Sequence, residues 1–262
     1  MKKLLIVLAA FLLAANAHAA DEIKLLRSQS TVSSKYGVSS QSIRFEVIVK
    51  NIAYAKQVYV HLKKPDGSWI DTPLSFMRAA DAGREVWAGS YTDVNETNTG
   101  PSFKTFDLEF ALRYKVNGVE YWDNNGGNNY KQARDSGSML FGTNVLARVN
   151  DLNNPAWIYG GLFYGSVTLQ NLAANKQVKV VYSTDGWQTS KTAWASFSPT
   201  FWFGGYSSAA NPNQYGAEEW NFQLDVGTTA SKVEYAIGYI VNGTTYWDNN
   251  FGRNYLQPLK QN

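Results

Sequence analysis

Two tryptophans, each followed directly by the triplet Asp-Asn-Asn, have the side chains and the spacing of a binding surface. They are Trp122 and Trp247, and they lie in segments 114–130 and 239–255, which match at most positions without a gap. An exposed indole can stack on the apolar face of a sugar ring, and neighbouring amides can hydrogen-bond the sugar hydroxyls. The pattern points to a neutral, hydroxyl-rich ligand, provided that both indoles face solvent.

A β-hairpin that ends in Trp122 predicts the side on which this indole lies. Asn117 and Gly118 separate two alternating apolar runs, and both residue types tolerate the positive φ angles of a type I′ turn. With these two residues as the loop, side chains alternate between a core face and a solvent face. The predicted core face carries Leu112, Tyr114, Val116, Val119 and Tyr121, and the predicted solvent face carries Arg113, Lys115, Glu120 and Trp122. In the second copy, Trp247 likewise faces solvent, opposite Gly238.

The repeated segments indicate a tandem duplication of a whole domain. A second matching pair, Asn51–Val58 and Asn171–Val178, lies upstream in the same order. Strand-and-turn spacing without a sustained helical period predicts an all-β fold made of antiparallel sandwiches. We expect a first module at residues 20–133, a linker at 134–144 and a second module at 145–262.

Composition excludes several classes of site. The chain has no cysteine and two histidines, so thiolate catalysis, disulfides and a histidine metal centre are not expected, and we predict no cofactor and no metal. A net charge of +3 gives no electrostatic footprint for nucleic acid or for an anionic membrane. Of the two histidines, His61 lies in an alternating run and is interpreted as a structural strand residue.

Residues 1–19 resemble a secretory signal peptide. Lys2 and Lys3 precede an apolar run that ends near the small-residue site Ala17-His18-Ala19. Cleavage near Ala19 would deliver a secreted or periplasmic protein. The rest of the sequence has no second apolar run long enough to predict a membrane span. We expect a monomer.

With both copies in view, the chain resembles the starch-binding carbohydrate-binding modules of family 21. In the first copy the resemblance is carried by Val49–Tyr54, Lys56, Val58, Asp66, Trp69, Glu109–Ala111, Tyr121–Asn125, Asn129 and Tyr130. In the second copy it is carried by Asn171–Ala173, Lys176, Val178, Asp185, Trp187, Glu234–Ala236, Tyr246–Asn250, Asn254 and Tyr255.

The resemblance implies an immunoglobulin-like β-sandwich for each copy and non-catalytic binding of α-glucans such as starch, glycogen and maltooligosaccharides. A separate amylase or uptake system is a further partner that it implies. The family's main site implies Trp69, Trp122, Asn124 and Asn129 in the first module, and Trp187, Trp247, Asn249 and Asn254 in the second. A second family site implies Tyr54, for which the second module has Ala174; Ala111 and Ala236 replace a tyrosine that some members use.

Other interpretations remain open for these residues. Trp122 could be peripheral core or be capped by Arg113 through a cation–π contact. The asparagines could structure their loop, and the aspartates before them could cap its turns. Lys56 and Lys176 could contact glucan or be solvated surface. The aromatic loop Phe197–Tyr206 could contact ligand or fill a domain interface.

Two other functions compete with glucan binding. A glycoside hydrolase needs a pair of carboxyl groups flanking the scissile bond. Glu109/Glu234 and Asp123/Asp248 recur in both copies, whereas Glu46 and Glu120 are replaced by Ser166 and Thr245 in the second copy. A structural or adhesive β-sandwich would use its exposed aromatics to bind a protein partner. We favour the non-catalytic interpretation.

Overall fold

The structure is a computed structural model that describes residues 21–81, 83–94, 105–142, 144–149, 154–200 and 209–261. These residues form twenty β-strands and no helix. The first half contains β1 (Ile23–Lys35), β2 (Val38–Lys50), β3 (Lys56–Lys63), β4 (Trp69–Pro73), β5 (Ser75–Ala79), β6 (Arg84–Val94), β7 (Leu108–Val116), β8 (Val119–Asp123), β9 (Tyr130–Gln132) and β10 (Gly137–Leu140). The second contains β11 (Leu146–Arg148), β12 (Ala156–Ile158), β13 (Leu162–Gln170), β14 (Lys176–Ser183), β15 (Lys191–Trp194), β16 (Ser196–Phe197), β17 (Ala217–Asp225), β18 (Lys232–Val241), β19 (Thr244–Asp248) and β20 (Tyr255–Gln261).

Each half is a sandwich of two sheets around its own core, which confirms the predicted all-β class. In the first, the sheet β10-β1-β2-β6-β5 faces the sheet β4-β3-β7-β8, and β9 also pairs with β7. In the second, β11-β13-β17-β16 faces β12-β20-β18-β14-β15, with β19 also paired to β18. Alternate side chains of both sheets meet in the core, as in Phe45 against Phe110 and Phe163 against Tyr235.

The hairpin register predicted around Trp122 is confirmed. Asn117 and Gly118 have φ angles of 51° and 75°, and Arg113 pairs with Trp122. Tyr114 and Val116 are buried, but Val119 is 48% exposed. The assignment of Val119 to the core was wrong because this residue directly follows the turn, where the sandwich ends and no opposing side chain covers it.

Two polar segments form strands that the sequence pattern did not predict. The stretch Ser28–Gln41 belongs to the long hairpin of β1 and β2, where buried polar groups satisfy one another: Ser28 Oγ donates to Gln132 Oε1 at 2.6 Å. Residues Gly137–Leu140, inside the predicted linker, form β10 and pair with β1. The first sheet therefore extends beyond residue 133.

The two sandwiches pack directly against each other. Phe251, in the loop after β19, packs on the first module's Ile48, Ala80 and Val86, and the Arg84 guanidinium lies 5.8 Å from its ring centroid. Elsewhere along the interface, the Asn213 side-chain amide donates to the carbonyl oxygen of Ser136 at 2.6 Å. Among the described residues no helix is long and apolar enough to cross a membrane.

Candidate functional site

Trp122 lies on the outer face of the sheet that contains β7 and β8, half-buried beneath a fixed arginine. The guanidinium carbon of Arg113 is 5.2 Å from the indole centroid. Two carboxylates hold this guanidinium, since Nη1 lies 2.5 Å from Asp71 and Nη2 lies 2.6 Å from Glu120. The cation–π cap considered from the sequence is therefore present on one side of the ring.

Trp69, at the start of β4, lies near Trp122 with a histidine between the two indoles. The ring of His61 stacks on Trp69 at 4.8 Å and 7° between planes, and it meets Trp122 edge-on at 5.4 Å and 88°. We call Trp69, His61 and Trp122 the first platform. Trp69 is 37% exposed, and within the described residues neither indole N–H of this platform has a hydrogen-bond partner.

His61 was missed as a site residue. Its Nδ1 lies 2.7 Å from Asp71. Partial burial raises the pKa of Asp71, but the hydrogen bonds from His61 and Arg113 outweigh this effect, and the pKa lies below its ordinary value. Asp71 thereby remains ionised and fixes both rings next to it. Strand alternation alone could have placed His61 on the outer face, together with Tyr59 and Lys63.

The loop after Trp122 is built around a buried carboxylate. Asp123 Oδ2 accepts the Tyr130 hydroxyl at 2.7 Å and the Leu25 backbone N–H at 3.3 Å, while its other oxygen accepts the Asn125 N–H. Asn124 Oδ1 accepts the Gly127 N–H at 3.0 Å. The aspartate thus caps the loop, and Asn124 both structures it and keeps its NH2 group as a donor.

Asn129 and Glu109 join this loop to the platform's strand. Asn129 Nδ2 donates to Glu109 Oε1 at 3.1 Å, and Lys63 Nζ lies 2.9 Å from the other oxygen of Glu109. These hydrogen bonds lower the pKa of Glu109, and the one from Lys63 has the larger effect. A ligand on the first platform would meet this polar row at one edge.

The second module places Trp247 on its corresponding sheet and Trp187 in the loop between β14 and β15, each with different support. Trp187 adopts a positive φ of 67°, which a bulky residue keeps only when its surroundings hold it. Its backbone N–H donates to Ser183 Oγ at 2.8 Å, and its indole N–H donates to Glu234 at 2.9 Å. Trp247 is 49% exposed, and Lys179 Nζ lies 5.1 Å from its ring centroid.

A third exposed indole extends this surface and was missed from the sequence. In register across four adjacent strands lie Trp194, Lys179, Gly238 and Trp247. Trp194 is 57% exposed, and at Gly238 an added Cβ would lie 3.2 Å from the Trp247 ring. The glycine therefore leaves room for Trp247, and we call Trp187, Trp194 and Trp247 the second platform. Three strand spacings of about 4.8 Å separate the backbones of Trp194 and Trp247 by roughly 14 Å.

The second loop repeats the first in part. Asn249 Oδ1 accepts the Gly252 N–H at 2.9 Å, as Asn124 does for Gly127. Asp248 accepts a hydrogen bond from the Tyr255 hydroxyl at 2.7 Å. Burial raises the pKa of Asp248, and the hydrogen bond from Tyr255 offsets only part of this effect. Asn254 is half-buried. Its counterpart Asn129 donates to Glu109, but the matching Glu234 accepts the Trp187 indole N–H.

Tyr54 is not brought to the first platform. Its side chain is fully exposed in the turn before β3, whereas Trp69 pairs with Lys63 at the far end of that strand. Of the aromatic loop Phe197–Tyr206, residues 201–206 lie outside the described residues. Phe197 itself lies in β16, edge-on to Trp220 at 6.0 Å.

Neither sequence interpretation of Lys56 and Lys176 holds, because both amines are buried in ion pairs. Lys56 Nζ lies 2.8 Å from Glu85, which also accepts the Trp87 indole N–H at 2.9 Å. Lys176 makes the same contact with Glu218 at 2.7 Å. These lysines hold the strand edges and are unavailable to a ligand.

Comparison with known proteins supplies the family. A sequence profile described as "Carbohydrate/starch-binding module (family 21)" matches residues 26–133 and 152–257. Protein phosphatase 1 regulatory subunit 3C of Bos taurus is 29% identical over 97 residues, which make up 35% of this chain and 26% of that protein. Glucoamylase 1 of Rhizopus oryzae is 31% identical over 98 residues, or 37% of this chain and 14% of the enzyme.

A solved structure is also similar to part of the chain. It is the starch binding domain of Rhizopus oryzae glucoamylase in complex with beta-cyclodextrin and maltoheptaose. The two sequences are 25% identical, the match covers 45% of this chain and 99% of that chain, and the TM-score is 0.31. The curated relatives named above are much longer, so the chain spans about a quarter of their length or less. Because the family profile matches two segments that make up most of the sequence, the chain belongs to carbohydrate/starch-binding module family 21.

Proposed function

We propose that this protein binds α-glucan chains without catalysis, through one aromatic platform on each module. The observation that carries the proposal is the recurrence of a tryptophan on the outer face of the corresponding sheet, Trp122 in the first module and Trp247 in the second. Each module also has a second, solvent-exposed tryptophan, Trp69 or Trp187. Membership of carbohydrate/starch-binding module family 21 supports the ligand class.

On the first platform, the indoles stack on the apolar faces of glucose rings while fixed polar groups read the hydroxyls. Trp69 and Trp122 also offer indole N–H donors that have no partner within the described residues, and Asn124 offers its NH2 group. Arg113 and His61 are already held by Asp71, so they present a rigid surface. Rigid aromatic contacts cost little conformational entropy on binding.

The recurring carboxylates do not suit glycoside hydrolysis. A general acid needs a raised pKa, whereas hydrogen bonds from Lys63 and Asn129 lower that of Glu109. Asp123 is buried and occupied by Tyr130 and by backbone N–H groups. Burial raises the pKa of its counterpart Asp248, but that carboxylate is likewise occupied, by the Tyr255 hydroxyl and two backbone N–H groups. These carboxylates therefore serve the structure of the loops and their strands.

Two platforms on one chain give avidity on a polymer. When one glucan reaches both, the second contact is intramolecular and apparent affinity rises by roughly 10²–10⁴. Export through residues 1–19 would bring the protein to extracellular or periplasmic polysaccharide, where a separate amylase or uptake system is a partner of the bound glucan. These residues lie outside the part of the chain that the structure describes.

Titration calorimetry with β-cyclodextrin tests the proposal. We expect the parent protein to bind and the variant Trp122→Ala/Trp247→Ala to lose at least about 2 kcal/mol, or roughly thirtyfold in affinity, as for buried aromatic contacts at binding hot spots. Trp157→Ala is the matched control, because Trp157 is equally exposed but lies on β12, where Lys260 covers its ring at 4.1 Å. Absence of binding by the parent to β-cyclodextrin and to maltoheptaose would refute the proposal and favour a protein partner.

A further inference from the structure

A cavity of about 710 Å³ lies between the two modules. This volume falls within the range of roughly 300–1,000 Å³ that is typical of small-ligand sites. The second module contributes Trp247, Asn249 and Phe251 to its wall, and the first contributes Lys24, Leu26, Ile48, Arg84, Asn125 and Gly126. The two Asp-Asn-Asn loops therefore border the same space.

The two platforms differ in their relation to this cavity. Trp69 and Trp122 are not part of its wall, so the first platform is complete within its own module. Trp247 and Asn249 are part of the wall, so a ligand stacked on Trp247 lies next to residues of the first module. Trp187 and Trp194 do not line the cavity, so it is the end of the second platform at Trp247 that adjoins the first module.

The wall contributed by the first module has the chemistry that a sugar ring requires. Leu26 and Ile48 supply apolar surface, while Lys24 supplies an amine whose only ion pair among the described residues is with exposed Asp21, at 3.4 Å. Gly126 leaves space at the loop, since an added Cβ there would meet no atom within 4 Å. Sugar rings likewise combine apolar faces with hydroxyl edges.

We propose that a short α-glucan segment binds in this intermodule cavity, stacked on Trp247 and hydrogen-bonded by Asn249 of the second module and by Lys24 and Asn125 of the first. This inference rests on the proposed function and specifies its second site as a composite one. The affinity of that site then depends on the contact between the modules, in which Phe251 packs on Ile48, Ala80 and Val86.

Protection of a single introduced thiol tests the composite site in the full-length chain. The protein has no cysteine, so Lys24→Cys creates the only thiol, on the cavity wall. Ser34→Cys is the matched control, on the same strand and exposed, but roughly 33 Å away along β1. Calorimetry first gives the Kd of each variant for maltoheptaose, and alkylation by iodoacetamide is then timed with and without the sugar.

At ten times the Kd, occupancy of about 90% should slow alkylation of Lys24→Cys by roughly tenfold and leave Ser34→Cys unchanged. Adding Trp247→Ala should abolish the protection, whereas adding Trp69→Ala/Trp122→Ala should preserve it. Measurable maltoheptaose binding that depends on Trp247 but leaves Lys24→Cys unprotected would overturn the composite site and leave the proposed function intact. Absence of any binding in the calorimetry would overturn both.

Discussion

Adjacent buried glutamates on β17 should respond in opposite directions when each is replaced by glutamine. Glu218 is paired with Lys176 at 2.7 Å and accepts the Trp220 indole N–H at 3.0 Å. Glu219 has no ion pair within the described residues. Burial raises its pKa to about 7, and the attraction of Arg27 offsets only part of this effect.

The size of the effect follows from the pKa of Glu219. Its pKa lies roughly 2.5 above the ordinary 4.5, and one pKa unit corresponds to about 1.4 kcal/mol. The folded protein binds this proton more tightly than the unfolded chain. The free energy of unfolding therefore falls as pH rises from about 4.5 to about 7, and it remains lower by roughly 3 kcal/mol above that pH. Glu219→Gln removes this loss because an amide does not ionise.

Thermal unfolding at pH 4, 6 and 8.5, followed by circular dichroism, measures the difference. Glu219→Gln should match the parent at pH 4 and exceed its Tm at pH 8.5, by roughly 2–4 °C for each kcal/mol. Glu218→Gln should lower the Tm at pH 6 and 8.5, because it leaves Lys176 buried without its partner, at a cost of about 3–5 kcal/mol. A Tm difference between Glu219→Gln and the parent that does not change with pH would refute the reasoning.

Three further predictions concern the platforms and their supports. Asp123→Ala should lower the free energy of unfolding, measured in urea, by roughly 1–3 kcal/mol for each buried donor that loses its acceptor. Equal stability of the variant and the parent would contradict the role of Asp123 as a loop cap. Lys56→Met should destabilise the first module by up to about 3–5 kcal/mol in the same assay, because it leaves the Glu85 carboxylate, whose side chain is 14% exposed, without its cation. A neutral result would mean that the ion pair does not form. Trp194→Ala should weaken maltoheptaose binding in calorimetry without lowering the Tm, whereas unchanged affinity would remove Trp194 from the second platform.

Local patterns predicted the sheet geometry around Trp122 because a two-residue turn fixes both register and face. The positive φ angles of Asn117 and Gly118 and the pairing of Arg113 with Trp122 follow from that turn alone. Val119 departed from the pattern because alternation predicts a face and does not predict where the opposing sheet ends.

Contacts between distant segments could not be predicted in the same way. The polar stretch Ser28–Gln41 has the composition of a loop, yet Ser28 and Gln41 are buried because Gln132 and Ser30 satisfy their side chains. Lys56 was expected at the surface because nothing in the sequence around it shows that Glu85 lies opposite. His61 joined the first platform because β4 placed Trp69 beside it.

Because the two sandwiches pack directly against each other, the two proposed glucan-binding platforms have a fixed spacing. With β10 paired to β1 and Phe251 seated on the first module, the spacing of the two platforms is set by protein contacts instead of by a flexible tether. A flexible tether would accept many spacings of glucan strands, each at a cost in entropy. A fixed spacing favours only those arrangements of strands that match it, so the protein would discriminate between packings of chemically identical glucose chains.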